Sequence, residues 1–194
     1  MTVFGDNTAT YPDNTTLADG VLFSIGSYTL AADSTINDFN IYCLTGPLGG
    51  TNITMAIYTD SSGVAGSVVA YSDVVAIADG EAAGWKTNST VHGTNPITAG
   101  TYHLVVYCYF GPGNPLPIMI HDDPNGNKHF AYYISGSGGS TPPPSPFVEG
   151  GSSNLVNMSF YLNVTAVPTV PPGLPFTTTP KVIYMRKREG KVRL

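Results

Sequence analysis

Histidine is the residue type in this chain best suited to acid–base chemistry, because its ordinary pKa lies close to neutral pH. The chain has four histidines, at positions 92, 103, 121 and 129. No nucleophile motif frames any of them, no two carboxylates form an evident acid–base couple, and the sequence has no glycine-rich loop suited to phosphate. The sequence therefore predicts a protein that is not an enzyme.

Sugar binding is a second chemistry, and it needs exposed aromatic rings beside hydrogen-bonding groups, because a pyranose has an apolar face and a polar rim. Alternation along residues 101–110 places two tyrosines and a histidine on one outward face. The candidate sugar-binding residues are Trp85, His103, Tyr107, Tyr109, Tyr132 and Tyr133. In the alternative interpretation the tyrosines pack with their hydroxyls at the rim of the core, and Trp85 caps one end of it.

Carboxylates in a tight loop could hold calcium, which prefers oxygen ligands. Asp122 and Asp123 follow His121 and precede Pro-Asn-Gly-Asn, but the run lacks the DxDxDG spacing and a distal glutamate. In the alternative interpretation the same residues form a turn. Ca²⁺ is thus the one candidate cofactor, and the sequence predicts no other.

Cysteine usage argues against a zinc site. Cys43 and Cys108 lie in similar settings, IYCL and VYCY, and no CxxC or Cys/His ligand spacing occurs. Both cysteines are in phase with inward apolar neighbours, so we expect buried free thiols. A disulfide between them would require adjacent strands.

Positive charge is concentrated at the C-terminus. Six of the eight Lys and Arg residues lie within residues 181–194. Residues 1–180 carry two cations and twelve carboxylates, a net charge of −10, whereas residues 181–194 carry six cations and Glu189, a net charge of +5. Such a tail is attracted to acidic surfaces. The predicted assembly or anchoring residues are Lys181, Val182, Ile183, Tyr184, Arg186, Lys187, Arg188, Lys191 and Arg193.

Nucleic acid and an acidic protein surface are the two kinds of acidic partner that could attract this tail. Nucleic acid is not expected, because Tyr184 is the only aromatic residue among the cations and the acidic body would be repelled by phosphates. An acidic protein surface, such as a lattice of other subunits or a neighbouring copy, fits better. The segment KVIYM at its start could add a strand to a neighbour's sheet. The alternative is a solvated, disordered terminus.

The elements that must position these residues are strands. Charged residues make up only 11% of the chain, Gly (22) and Pro (16) are abundant, and no helical periodicity is present. Strand-like stretches occur at 20–25, 35–44, 53–59, 67–77, 101–110, 116–121, 129–135 and 155–167. The clearest alternation places Val156, Met158, Phe160, Leu162, Val164 and Ala166 on one face of 155–167. These features predict an all-β, antiparallel two-sheet sandwich of jelly-roll type.

The predicted organisation is an N-terminal arm or edge segment at 1–15, a sandwich domain at 16–167, a proline-rich spacer at 168–180 and the basic tail at 181–194. The long Gly/Ser/Pro loop at 136–153 is either a mobile exposed loop or an ordered contact element.

The N-terminus has neither the basic nor the apolar region of a signal peptide, and no apolar stretch is long enough to span a bilayer. Either a leader has been removed from a precursor, or the protein reaches its destination without such export. Virus structural proteins, which are released by lysis, satisfy the second condition, and this interpretation is favoured.

Three motifs carry a resemblance to a known family. They are IYTDSSGVAGSVVA at 57–70, the pair Gly84-Trp85, and PITAGTYHLVVY at 96–107. In this order they resemble a β-sandwich module of bacterial surface proteins and phage structural proteins that is described as carbohydrate-binding-like. Val64-Ala65-Gly66 departs from the family's Lys-Pro-Gly, and His103 replaces a common Trp. The resemblance implies a jelly-roll attachment module, and the motif glycines and Asp60 have turn roles.

These observations favour a non-enzymatic virion structural protein, of phage decoration, head-fibre or tail type, at the virion surface or outside the cell. Its expected partners are other subunits of the assembly, including copies of itself, with a glycan as a further candidate and no membrane span. The alternatives are a secreted carbohydrate-binding module and a subunit of an extracellular filament joined by strand exchange.

Overall fold

The fold was analysed in a computed structural model, which describes residues 1–9, 13–17, 21–44, 50–109, 116–122, 128–133, 143, 145–147 and 156–169. The basic tail and Asp123 lie outside the described residues. The strands are β1 (Thr2–Gly5), β2 (Asp13–Leu17), β3 (Val21–Leu30), β4 (Ser34–Cys43), β5 (Thr51–Ser61), β6 (Val64–Tyr71), β7 (Val75–Ile77), β8 (Gly84–Asn88), β9 (His92–Gly93), β10 (Gly100–Tyr109), β11 (Leu116–Asp122), β12 (Lys128–Tyr133), β13 (Val156–Met158) and β14 (Phe160–Ala166).

The strands form two antiparallel sheets. In the first sheet the order is β1-β14-β4-β11-β13, with β8 paired to β4 and β2 paired to β11. In the second sheet it is β12-β3-β10-β5-β6-β9, with β7 paired to β5. The described residues contain no helix, and none of them forms a helix that could cross a membrane. The all-β, two-sheet architecture predicted from the sequence is therefore confirmed.

One hydrophobic core lies between the sheets, and the alternation of β14 shows how the sequence builds it. Phe160 of β14 pairs with Ile41 of β4, and Leu162 pairs with Phe39, so these apolar side chains lie on the same inner face. All four are fully buried. They pack against inward residues of the second sheet, including Leu104. The predicted inward face of β14 is confirmed through Val164, but Ala166 at its end is exposed.

The middle of the second sheet is buried on both faces. Its outer face carries a second apolar cluster in which Leu22, Tyr58, Val105 and Tyr107 pack with Phe147. Phe147 comes from the long Gly/Ser/Pro loop, and its backbone N–H donates to the carbonyl oxygen of Gly66 at 2.7 Å. The described part of this loop is therefore an ordered contact element. This cover explains why β5 and β10 are almost continuously apolar rather than alternating.

Smaller features of the chain agree with its local sequence. Residues 67–77, expected to form one bent strand or two short ones, form parts of β6 and β7. Cys43 and Cys108 are buried free thiols. Burial raises the pKa of Cys43 to about 12, so both sulfurs behave as core atoms.

Candidate functional site

The sequence placed His103 on an exposed sugar-binding face, and this expectation is wrong. His103 is 0% exposed on the outer face of the second sheet. It lies at a β-bulge, because the register between β10 and β3 shifts between Tyr102 and Leu104. From there the imidazole reaches side chains of both neighbouring strands, Ser24 of β3 and Asp60 of β5. Tyr107 is only 2% exposed and packs in the cluster that Phe147 covers, so it is not part of an exposed platform either.

His103 connects two polar side chains. Its Nε2 lies 2.8 Å from Oδ1 of Asp60, and its Nδ1 lies 3.4 Å from Oγ of Ser24. Asp60 also accepts the backbone N–H of Gly63 at 3.3 Å. Gly63 has a φ of 87°, so the predicted turn roles of Asp60 and this glycine are confirmed.

The electrostatics of this trio favour a neutral imidazole beside a charged carboxylate. Burial lowers the pKa of His103, and the hydrogen bond and charge of Asp60 oppose that shift. The hydrogen bond from His103 lowers the pKa of Asp60. With Nε2–H donating to Asp60, Nδ1 is the acceptor that faces the Ser24 hydroxyl.

Serine, histidine and aspartate in contact are the residue types of a hydrolase triad. Here, however, the Ser24 side chain is fully buried, and a nucleophile must reach a substrate carbonyl. The trio instead ties the β5–β6 turn to β3 across β10. We assign it a structural role.

The first sheet carries a different polar and aromatic arrangement on its outer face. Trp85 of β8 pairs with Tyr42 of β4, and their ring centroids are 5.4 Å apart at an interplanar angle of 86°. The indole also lies 4.9 Å from the ring of Tyr161, at 76°. Tyr161 belongs to β14, which flanks β4 on the opposite side from β8. The indole therefore reaches across β4, and Asn40 of that strand is only 3% exposed.

Hydrogen bonds fix the polar residues beside these rings. The Thr87 hydroxyl donates to Oδ1 of Asn40 at 2.7 Å, and the Asn40 amide donates in turn to Oδ1 of Asp38. The amide of Asn163 donates to the same Asp38 oxygen at 2.8 Å. Burial, and to a lesser extent the charge of Asp38, raises the pKa of Tyr161, so its phenol stays neutral.

We call this surface the Trp85 face. It consists of Tyr42, Trp85 and Tyr161 together with Asp38, Asn40, Thr87 and Asn163. The three rings are partly buried and Thr87 is exposed. The face combines ring surface with fixed donors and acceptors, which is the combination that recognises small polar ligands with an apolar side.

Most of the other predicted site residues have side chains that the structure does not describe. Tyr109 ends β10, Tyr132 and Tyr133 end β12, and Asp122 ends β11; the side chains of these four residues lie outside the described part. Asp123 and the predicted tail anchor, residues 181–194, lie outside it altogether. Among the described residues no group of three metal-binding side chains occurs.

Sequence reasoning included only Trp85 from the Trp85 face. Alternation in the sequence puts Asn40 and Tyr42 on one face of their strand, and Tyr161 and Asn163 on one face of theirs. The missing information was that β8, β4 and β14 are neighbours.

Comparison with known proteins does not extend this picture: no protein-family model, curated protein or solved structure matches the chain. The resemblance to carbohydrate-binding-like modules thus rests on the three sequence motifs alone.

Proposed function

We propose that this chain is a non-enzymatic structural protein of a virion, of the decoration, head-fibre or tail type. A jelly-roll sandwich is displayed at the virion surface or outside the cell. A proline-rich arm at 168–180 and the basic tail at 181–194 attach it to other subunits. The observation that carries the proposal is the separation of charge, with six of eight cations in the last fourteen residues.

Charge pairing in the body supports this assignment. Lys86, one of the two cations of residues 1–180, forms an ion pair with Glu81. The charged side chains of residues 1–180 are therefore mainly carboxylates, and the other cation in this range is Lys128. A tail of opposite sign is attracted to such a surface on a neighbouring copy. Repetition of this contact would join copies head to tail, which is the arrangement that produces closed rings or open helical filaments.

The buried histidine trio supports the non-enzymatic part of the proposal. The Ser24 hydroxyl, which lies 3.4 Å from Nδ1 of His103, is enclosed. Its neighbours His103 and Asp60 hold the β5–β6 turn in place, so a structural role accounts for these residues.

Neutralising the tail in the full-length chain tests the attachment. In the variant Arg186→Gln/Lys187→Gln/Arg188→Gln, we expect unchanged circular dichroism and thermal stability but loss of association in light scattering. Wild-type association should also disappear near 1 M salt, where the screening length is about 3 Å. The matched control Arg186→Lys/Arg188→Lys keeps the charge and should still associate. Undiminished association of the neutral variant would refute the proposal.

A further inference from the structure

We propose that β1 is the docking site for the tail of a neighbouring copy, whose residues 181–185 (KVIYM) add a strand to the free edge of the first sheet. The docking site rests on the proposed function, since it receives the tail through which the chain attaches. Among the described strands, β14 is the only one that pairs with β1, so the opposite side of β1 is an open sheet edge.

The backbone of β1 offers hydrogen-bonding groups at this edge. The Asp6 N–H donates to the carbonyl oxygen of Phe160 at 2.9 Å, and Phe4 pairs with Leu162 one step further along the same ladder. Backbone hydrogen bonds alternate between the two sides of an antiparallel strand. The N–H and C=O groups of Val3 are therefore directed away from β14. An edge of this kind is a template for an added strand.

The side chains along β1 favour an apolar partner. Phe4 lies in the core at 6% exposure, whereas Val3 is 42% exposed and Met1, directly before the strand, is 83% exposed. These are two of the three large apolar side chains that are exposed among the described residues. In an added strand, alternate side chains of the tail, such as those of Val182 or Ile183, would lie beside Val3 and shield it from water.

Charge distinguishes β1 from the other edges. The two cations of residues 1–180 are Lys86 on β8, which pairs with β4 alone, and Lys128 on β12, which pairs with β3 alone among the described strands. Lysine on an edge strand opposes the addition of another strand, and it repels a basic tail in particular. By contrast, β1 and β14 carry no charged residue, and Asp6 follows β1 directly.

The remaining edge strands are less suited to the tail. Three of them, β7, β9 and β13, are at most three residues long. The sequence of β2 is DNTTL, in which one residue of five is apolar. Of the described edges, β1 is therefore the one that combines an apolar side chain with the absence of a cation.

The spacer directs the tail to a neighbouring copy. Val164 of β14 pairs with Thr2, and β14 ends at Ala166, so residues 168–180 begin close to the β1 edge of their own sandwich. Five of these thirteen residues are proline, and an extended proline-rich linker of this length spans about 40 Å. Such a linker carries residues 181–185 away from the edge where it starts. The β1 edge within their reach is that of another copy.

Single substitutions at matched positions test the docking site in the full-length chain. Val3→Lys places a cation on the free edge and should weaken self-association at least about tenfold in sedimentation analysis, with an unchanged circular dichroism spectrum. The matched control is Val74→Lys, because Val74 is 40% exposed but lies beside β7 of the second sheet; it should associate like wild type. Val3→Pro removes the outward N–H and none that faces β14, so it should act like Val3→Lys.

A photoreactive benzoylphenylalanine in place of Val3 identifies the segment that docks. A mixture of isotopically light and heavy protein would be irradiated and digested. Mass spectrometry should then find position 3 joined to residues 181–185, in products that contain one light and one heavy copy.

The outcomes separate this contact from the proposed function. Suppose that wild-type association requires the tail cations, but that folded Val3→Lys associates fully or the cross-links fall on other segments. This result would overturn the docking site and leave the tail attachment intact. Cross-links confined to single copies would show that the tail closes on its own sandwich, which overturns the contact between copies. Absence of wild-type association would contradict the proposed function itself, and the docking site with it.

Discussion

Replacing Gly26 with alanine tests whether the fold depends on the position of the buried His103 ring. Gly26 lies in β3 beside the β-bulge. A Cβ atom built there would fall 1.8 Å from Nδ1, 2.1 Å from Cε1 and 2.4 Å from Cγ of His103. Non-bonded carbon atoms pack at about 3.5–4.0 Å, so the imidazole and the new methyl group cannot both keep their places.

The ring has little room to retreat. His103 is fully buried, and its Nε2 is held 2.8 Å from Asp60. Moving the ring would break a hydrogen bond to a charged group, which contributes about 1.5–3 kcal/mol. Overpacking of the surroundings adds about 1–3 kcal/mol. We therefore expect Gly26→Ala to lower the free energy of unfolding by about 2.5–6 kcal/mol, a large part of the stability of an ordinary domain.

Urea unfolding followed by Trp85 fluorescence and far-ultraviolet circular dichroism measures this change. Gly84→Ala is the matched control, because no heavy atom lies within 4 Å of the position its Cβ would occupy; it should change stability by less than about 0.5 kcal/mol. A double-mutant cycle with His103→Ala isolates the contact. Without the imidazole, Gly26→Ala should cost less than about 1 kcal/mol. An equal cost in both backgrounds would show that the ring is not the cause.

Two further predictions concern the outer face of the second sheet. The free energy of unfolding should fall as the pH drops below about 6.5, the ordinary pKa of histidine. Below that pH His103 binds a proton in the unfolded chain but stays neutral in the folded protein, because burial lowers its pKa. The free energy of unfolding then falls by up to about 1.4 kcal/mol per pH unit. The pKa of Asp60 is also lowered, so its protonation causes a further loss of stability at lower pH. The urea midpoint should therefore fall less steeply with decreasing pH in His103→Gln than in wild type. Phe147→Ala should destabilise the protein by about 3 kcal/mol, because Phe147 is 7% exposed and its ring centroid lies 6.1 Å from that of Tyr58. A calorimetric unfolding curve identical to that of wild type would contradict a packing role for Phe147 and its loop.

Local sequence was sufficient to predict most of the longer strands and one of their faces, but it did not identify β8 or β9 as strands. In β14, alternation correctly separates the buried residues Phe160 and Leu162 from Tyr161 on the opposite face. A strand that covers a core on one side alternates apolar and polar residues, so its two faces can be recognised in the sequence. In β10 the same rule identified the inward residue Leu104. It failed for Tyr107, because the cover over the outer face comes from Phe147, a residue distant in the sequence.

The candidate site depended on the same kind of long-range information. Trp85, Tyr42 and Tyr161 come from three strands whose adjacency is a property of the sheet order. Their separate sequence contexts are ordinary for a β protein, in which aromatic residues are common on both faces of a sheet. The sequence around a tyrosine does not show whether a loop from elsewhere in the chain will bury its ring.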